Sequence, residues 1–276
     1  MSTQGTVSRL PLPPAKHVNL PVGSIDVLPA CAAQRWPRRA ALRQDQKVLT
    51  FAELDQRISR LASGLRDLIG GDGSVVAVSS ALGLDFPIAY YAIARSGNVV
   101  APVNPRLGAD VLAALLTSVG AKAAVLSRTV YNRARTVLTG LEQVVLLDGL
   151  PALGVPTCAE LAARGNLLVE PRDRNENGLG AIVLGARRSH HRLKVEAAEA
   201  AAAHDLSEHA VALNSLSHYR QVHLNAAVLT GTTQVLCASP ELAVQAREAM
   251  RHNVTHHYTL DRHSSPAMPS VTAVAS

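Results

Sequence analysis

Apolar residues between positions 50 and 70 recur every three to four residues, which is the period of an amphipathic helix. Thr50 and Glu53 have the spacing of a capping box at the helix start. Gly70 and Gly71 are typical of a helix end. The pattern therefore predicts a helix whose buried face carries Leu54, Ile58, Leu61, Leu65 and Leu68.

The rest of the chain alternates short apolar runs with helical patterns of about ten residues. The predicted strands are 75–80, 99–104, 121–127, 144–148, 180–185, 211–216, 233–238 and 254–260. The predicted helices are 85–95, 109–118, 195–204, 223–229 and 240–251. Strands separated by helices form βαβ units, so we predict an α/β fold with a mainly parallel, twisted sheet flanked by helices.

Three regions are predicted from the distribution of these patterns. Residues 1–22 contain four prolines without periodicity and are predicted to form an irregular arm. Residues 23–262 form the folded domain, and 263–276 form a flexible tail. The chain has neither an export signal nor an apolar run of about 18 residues, so we expect a cytoplasmic protein without a membrane span.

Composition excludes several classes of protein. Hydrophobic residues make up 47% of the 276 residues and charged residues 17%, which argues against a disordered chain. The formal net charge is +6, but aromatic residues make up only 3%, so we expect no nucleic-acid partner. Cys31, Cys158 and Cys237 are too far apart for a disulfide framework or a zinc site.

Three segments together resemble the AMP-dependent synthetase and ligase superfamily of adenylate-forming enzymes, which includes acyl-CoA synthetases. They are LTFAELDQRISRLASGLRDL (49–68), the segment from Ala81 to Leu126 with its VNP motif, and VALNSLSHYRQVHLNAAVLTGTTQVLC (211–237). The resemblance implies the fold of that family's N-terminal subdomains. It also implies ATP, Mg and CoA as cofactors or substrates, and acyl-adenylate formation followed by thioester formation as the ancestral reaction.

The chain departs from the family where ATP phosphates are bound. The family has a Ser/Thr/Gly-rich loop ending in Pro-Lys-Gly after a strand like GAIVLG (180–185), and small residues there let backbone N–H groups reach phosphate oxygens. The corresponding stretch, ARRSHHRLKVEAA (186–198), contains no Gly, Thr or Pro. We interpret it as a degenerate phosphate loop with Lys194 as the relic of the family lysine.

One hypothesis for this stretch is genetic. Codons for His190, His191 and Arg192 read one nucleotide later can encode Thr-Thr-Gly, the centre of the family's loop. A local frameshift in 186–195 would then explain why good resemblance flanks a segment that does not match, and the coding DNA tests it.

The resemblance implies substrate-binding roles for Tyr219 and Asn225 on the acyl side of the pocket, while His223 stands where the family has Gly. No metal site is predicted, because His252 and His256 have no carboxylate at ligand spacing and a strand begins between them. We predict no catalytic residue in this chain.

The expected function follows from these departures. The family's adenine-binding segment and catalytic lysine would lie beyond residue 276, so we expect a truncated ligase-like protein, a pseudoenzyme that does not form acyl adenylate alone. It would be a decayed gene product or a non-catalytic partner of an intact acyl ligase. The alternatives are half of a split ligase, completed in trans by the missing C-terminal half, and an acyl-binding protein.

Overall fold

The computed structural model describes residues 20–70, 73–152, 154–166, 175–258 and 271–273. The predicted arm therefore lies almost wholly outside the described residues, as does most of the predicted tail. The strands are β1 (Ala40–Gln44), β2 (Lys47–Thr50), β3 (Val75–Ser79), β4 (Val99–Val103), β5 (Ala121–Leu126), β6 (Gln143–Leu146), β7 (Leu179–Val183), β8 (Ala186–Ser189), β9 (Val211–Asn214), β10 (Thr233–Leu236), β11 (His256–Tyr258) and β12 (Val271–Ala273). The helices are α1 (Val27–Arg35), α2 (Phe51–Ile69), α3 (Asp85–Ser96), α4 (Ala109–Ser118), α5 (Arg128–Ala134), α6 (Cys158–Arg164), α7 (His190–Ala203), α8 (Gln221–Thr230) and α9 (Leu242–Arg251).

The predicted capping box begins α2. The Thr50 backbone N–H donates to Glu53 Oε2 at 2.8 Å, and the Glu53 N–H donates to Thr50 Oγ1 at 3.2 Å. Gly70 ends the helix with a positive φ of 70°. The predicted apolar face is buried at Leu54, Ile58, Leu61 and Leu65, so spacing alone located both the helix and its inner face.

The strands form two six-stranded sheets instead of one. Sheet A has the order β12-β11-β9-β10-β1-β2, and sheet B has the order β6-β5-β3-β4-β7-β8. The inner pairs are parallel in both sheets. The edge strands β2, β8 and β12 pair antiparallel with their neighbours. The prediction of a mainly parallel α/β fold flanked by helices is therefore confirmed.

Helix α3 lies in the centre of the main hydrophobic core. Every residue from Phe86 to Ser96 is buried, which explains why this helix reads as apolar on all sides. The core cluster that contains α3 also includes Leu42 and Leu236 from sheet A and Val76 from sheet B. The core thus packs one helix against both sheets.

The structure differs from the sequence prediction in several elements. Helices α1, α5 and α6 and the β1–β2 hairpin were not predicted. The predicted strand 180–185 ends at Val183, and α7 begins five residues before the predicted 195. Part of the predicted tail, Val271–Ala273, forms β12. Among the described residues, no helix is both long and apolar enough to cross a membrane.

Candidate functional site

The connection between β7 and β8 occupies the place where the family resemblance implies a phosphate loop. Val183 pairs with Ala186, which leaves only Leu184 and Gly185 between the two strands. Both residues have positive φ angles, 49° and 79°, as in the tight turns that join antiparallel strands. The stretch 186–198 is therefore a strand followed by a helix, and the connection that remains has two residues.

The charged side chains after this turn are engaged with each other. Ser189 caps α7 by accepting from the Arg192 N–H at 3.1 Å. Arg188 Nε and Arg192 Nε lie 2.9 and 3.1 Å from Glu196 Oε1. The two arginines therefore share Glu196, and Arg192 Nη2 also lies 3.5 Å from Glu199 Oε2, so both already have carboxylate partners.

Lys194 is fully buried and binds the chain segment that precedes α1. Its Nζ donates to the Pro21 carbonyl at 2.6 Å, to the Gly23 carbonyl at 2.8 Å and to Glu176 Oε2 at 3.0 Å. An ammonium has three protons, so all its donors are used. The hydrogen bond from Lys194 lowers the pKa of Glu176.

A close approach of backbone and imidazole fixes the start of α7. His190 is buried, and its Nδ1 accepts from the Ile25 N–H at 3.1 Å. A Cβ atom at Gly180 would lie 2.6 Å from His190 Nδ1. Glycine at this position of β7 therefore permits the contact that joins α7 to the segment before α1.

Asn225 lies in the core between α8 and α3. It accepts at Oδ1 from the Tyr91 hydroxyl at 2.8 Å, and its Nδ2 donates to Tyr90 Oη at 3.2 Å. Burial raises the pKa of both tyrosines above the usual value. The amide thereby satisfies two buried hydroxyls, which would otherwise cost free energy.

Tyr219 has a similar environment. Its hydroxyl donates to Gln234 Oε1 at 2.7 Å, its N–H donates to the Ser80 carbonyl at 2.8 Å, and its ring centroid lies 5.4 Å from that of Phe86. It is 1% exposed. The structure thus places Tyr219 and Asn225 against α3, whereas the hydrogen bonds of Lys194 go to Pro21, Gly23 and Glu176.

Two surface clefts formed by described residues lie elsewhere. One, of about 430 Å³, is lined by α2, α6, the start of α3 and the end of β6. The other, of about 400 Å³, is lined by Arg39, Arg43, Arg251 and His252 beside the start of β10. None of Lys194, Tyr219 and Asn225 lines either cleft. No group of three potential metal ligands occurs in the part of the chain that the structure describes.

A stacked pair of rings was missed from the sequence. The His223 and Tyr258 rings are parallel within 5°, with centroids 4.1 Å apart. Burial, followed by the charge of Arg220, lowers the pKa of His223 to about 3. The sequence feature that could have indicated this pair is His223 itself, which stands where the family has Gly in a helix that otherwise follows the family pattern.

The curated proteins similar to this chain are much longer synthases, of which it matches a short stretch. It is 33% identical over 73 residues to surfactin synthase subunit 1 of Bacillus subtilis, covering 26% of this chain and 2% of that protein. It is also 33% identical over 84 residues to tyrocidine synthase 3 of Brevibacillus parabrevis, which covers 30% of this chain and 1% of that protein.

Solved structures show the same fold at low identity. A long-chain-fatty-acid-CoA ligase from Archaeoglobus fulgidus matches with a TM-score of 0.80 at 20% identity, over 87% of this chain and 52% of that one. The luciferase-like enzyme of the mealworm Zophobas morio matches with a TM-score of 0.78 at 17% identity, over 88% of this chain and 61% of that one. The chain therefore spans about half the length of these structures.

The sequence model of the AMP-binding enzyme family matches residues 30–177. This is more than half of the chain, and it includes α2, α3 and most of sheet B. The chain therefore belongs to the AMP-binding enzyme family.

Proposed function

We propose that this chain is an adenylate-forming-ligase-like protein that does not form an acyl adenylate alone and acts as a non-catalytic partner of an intact acyl ligase. The observation that carries the proposal is the two-residue turn at Leu184 and Gly185. Adenylation requires preorganised donors and cations around the reacting phosphate. A two-residue turn offers too few backbone N–H groups to cradle a triphosphate.

The cations near this turn support the same conclusion. Lys194 is buried and donates to two carbonyls and a carboxylate. Arg188 and Arg192 share Glu196. A triphosphate would have to break the contacts of buried Lys194 and compete with Glu196 for the two arginines, and both costs lower its affinity.

The first experiment measures nucleotide binding and turnover. The full chain is titrated with MgATP by calorimetry and assayed for pyrophosphate release with a panel of carboxylic acids and CoA, with an intact acyl-CoA ligase as the positive control. We expect neither binding nor acid-dependent pyrophosphate. Saturable pyrophosphate release by the chain alone would overturn the proposal.

The partner role rests on a separate observation, an apolar stripe on α9. Leu242, Ala246 and Met250 lie four residues apart on one side of this helix, and Leu242 and Met250 are 79% and 80% exposed. Contiguous exposed apolar surface is typical of a protein interface. An intact acyl ligase of the same host is the partner that the family membership suggests.

Co-purification with a tagged intact ligase tests this role. We expect a complex with the wild-type chain, loss of the complex with Leu242→Glu/Met250→Lys, and retention with Arg247→Gln, an exposed change outside the stripe. A chain that stays monomeric and binds no ligase would reject the partner role and leave a decayed gene product. ATP binding that appears only when the chain is mixed with a separate C-terminal half of a ligase would instead identify half of a split ligase.

A further inference from the structure

The cleft of about 430 Å³ between α2 and α6 combines an apolar floor with charges of both signs. Its volume lies within the range of pockets that bind small molecules. The floor is formed by Leu61, Ile88, Leu147 and Ala162. The cleft is separate from the β7–β8 turn and from the buried Tyr219 and Asn225, so an inference drawn from it does not rest on the proposed function.

The position of the cleft in sheet B is one at which α/β proteins bind ligands. Asp148 follows the carboxyl end of β6, and Asp85 begins the helix that follows β3. In open parallel sheets, ligands bind outside the carboxyl ends of the strands. Both carboxylates therefore come from this edge of the sheet.

The opposite charges come from α2. Arg57 and Arg60 are three residues apart, so they share one face of the helix, and both are exposed. Among the residues that the structure describes, Arg57, Arg60 and Asp85 have no ion-pair partner within 4.0 Å. Asp148 accepts one hydrogen bond, from the Arg128 N–H at 2.7 Å, and keeps its second oxygen for another donor.

The two carboxylates influence each other. Burial and then the negative charge of Asp148 raise the pKa of Asp85, while Lys47 and Arg57 lower it. Asp85 is exposed and Asp148 is half-buried, and like charges placed together favour a bound cation. An ammonium group between Asp85 and Asp148 would meet this requirement, and a carboxylate would complement the two arginines of α2.

We propose that this cleft binds a small zwitterion of the amino-acid class with an apolar side chain. The ammonium lies between Asp85 and Asp148, the carboxylate contacts Arg57 and Arg60, and the side chain covers the apolar floor. Both charges are needed because the cleft is lined by two carboxylates and by two guanidinium groups. A ligand that lacks either charge leaves one of these two sets without a partner on the ligand.

The test uses three compounds with the same carbon skeleton. L-leucine carries both charges, L-leucinamide lacks the carboxylate, and 4-methylpentanoate lacks the ammonium. Binding to the full chain is measured by saturation-transfer NMR and calorimetry. We expect leucine to bind with a Kd of about 1–5 mM and the other two about tenfold more weakly.

Matched variants assign the binding to this cleft. Asp85→Asn and Arg60→Gln are each expected to weaken leucine binding about tenfold. Arg164→Gln, an exposed arginine at the end of α6 outside the cleft, should leave it unchanged. Circular dichroism confirms that each variant is folded. The proposal is overturned if leucine does not bind below about 20 mM, if the three compounds bind equally, or if all three variants behave alike.

Discussion

Arg95 is a buried cation that joins three helices, and its removal should strongly destabilise the protein. The side chain is 1% exposed. Its Nη2 donates to Asp55 Oδ1 at 2.6 Å and to the Asp26 carbonyl at 3.0 Å, its Nη1 donates to Ser59 Oγ at 2.6 Å, and its Nε lies 3.6 Å from Asp26 Oδ2. Asp26 immediately precedes α1, while Asp55 and Ser59 belong to α2.

The expected magnitude follows from what Arg95→Met leaves behind. Methionine fills much of the volume, so the cavity term is small. Asp26 is 0% exposed, and it would remain as a buried carboxylate without its cation. Breaking a buried ion pair in this way costs about 3–5 kcal/mol. In a chain of this size, that loss corresponds to a fall in Tm of about 10 °C.

Urea denaturation followed by far-UV circular dichroism measures the effect. Asp26→Asn/Arg95→Met removes both charges, so the double variant should lose less than the sum of the single variants, with a coupling of at least about 1.5 kcal/mol. Arg106→Met, an exposed change, should stay within about 0.5 kcal/mol of wild type. The reasoning is refuted if Arg95→Met costs less than about 1 kcal/mol or if the two changes are additive.

Three further changes test local features. The pKa of His223 is lowered to about 3 from 6.5, so between these pH values the unfolded chain binds a proton that the native state does not bind. The contribution of His223 to stability is therefore fully present above pH 6.5, and the free energy of unfolding falls by about 1.4 kcal/mol per pH unit below it. In His223→Phe, which keeps the stack on Tyr258, urea titrations between pH 7 and 4.5 should lack this part of the slope. Gly180→Ala places a methyl group against His190 and should cost about 1–3 kcal/mol in a thermal melt. Leu184→Asn creates the Asn-Gly pair that this turn favours. It should raise the free energy of unfolding measured in urea by about 0.5–1 kcal/mol, and the urea midpoint with it.

Each of these changes has a control and a contradicting result. His209→Gln alters an exposed imidazole and should keep the wild-type slope; an unchanged slope in His223→Phe would mean that His223 does not set it. Gly140→Ala has no atom within 4 Å of the new Cβ, and equal losses at both glycines would contradict the contact argument. A lower urea midpoint for Leu184→Asn would contradict the turn argument and indicate that the Leu184 side chain itself contributes to stability.

Periodicity predicted the regular elements because their burial depends on local spacing. Helix α4 was predicted at its observed bounds, and α2 was predicted with its cap and inner face. The capping residues and the apolar period that define such helices lie within their own segments. The separation into two sheets could not be predicted, because it depends on which distant strands pair.

The region after β7 was misread for a physical reason. Five cationic or imidazole residues stand in 187–192 and resemble a loop, but β8 is an edge strand that tolerates charge on its open side. Ser189 then caps α7 earlier than the alanine-rich pattern indicates. The two-residue turn became apparent only from the strand register.

The candidate site was predicted only in part. Family resemblance directed attention to Tyr219 and Asn225, but it did not indicate that their polar groups are satisfied by Gln234, Tyr90 and Tyr91. Those partners come from other elements, so no local pattern contains them. The carboxylates of the α2–α6 cleft did have a signal, since Asp148 ends the predicted strand 144–148 and Asp85 begins the predicted helix 85–95.

The pairing of β1 with β10 has a consequence for the order in which the protein is made. Leu42 pairs with Gln234, so β1 is synthesised long before its partner. At ribosomal rates the intervening chain takes roughly 10–40 s to appear. Sheet B, whose strands all lie between residues 75 and 189, can close in that interval. The β1–β2 hairpin meanwhile keeps an open strand edge, which can pair with another chain until β10 is made.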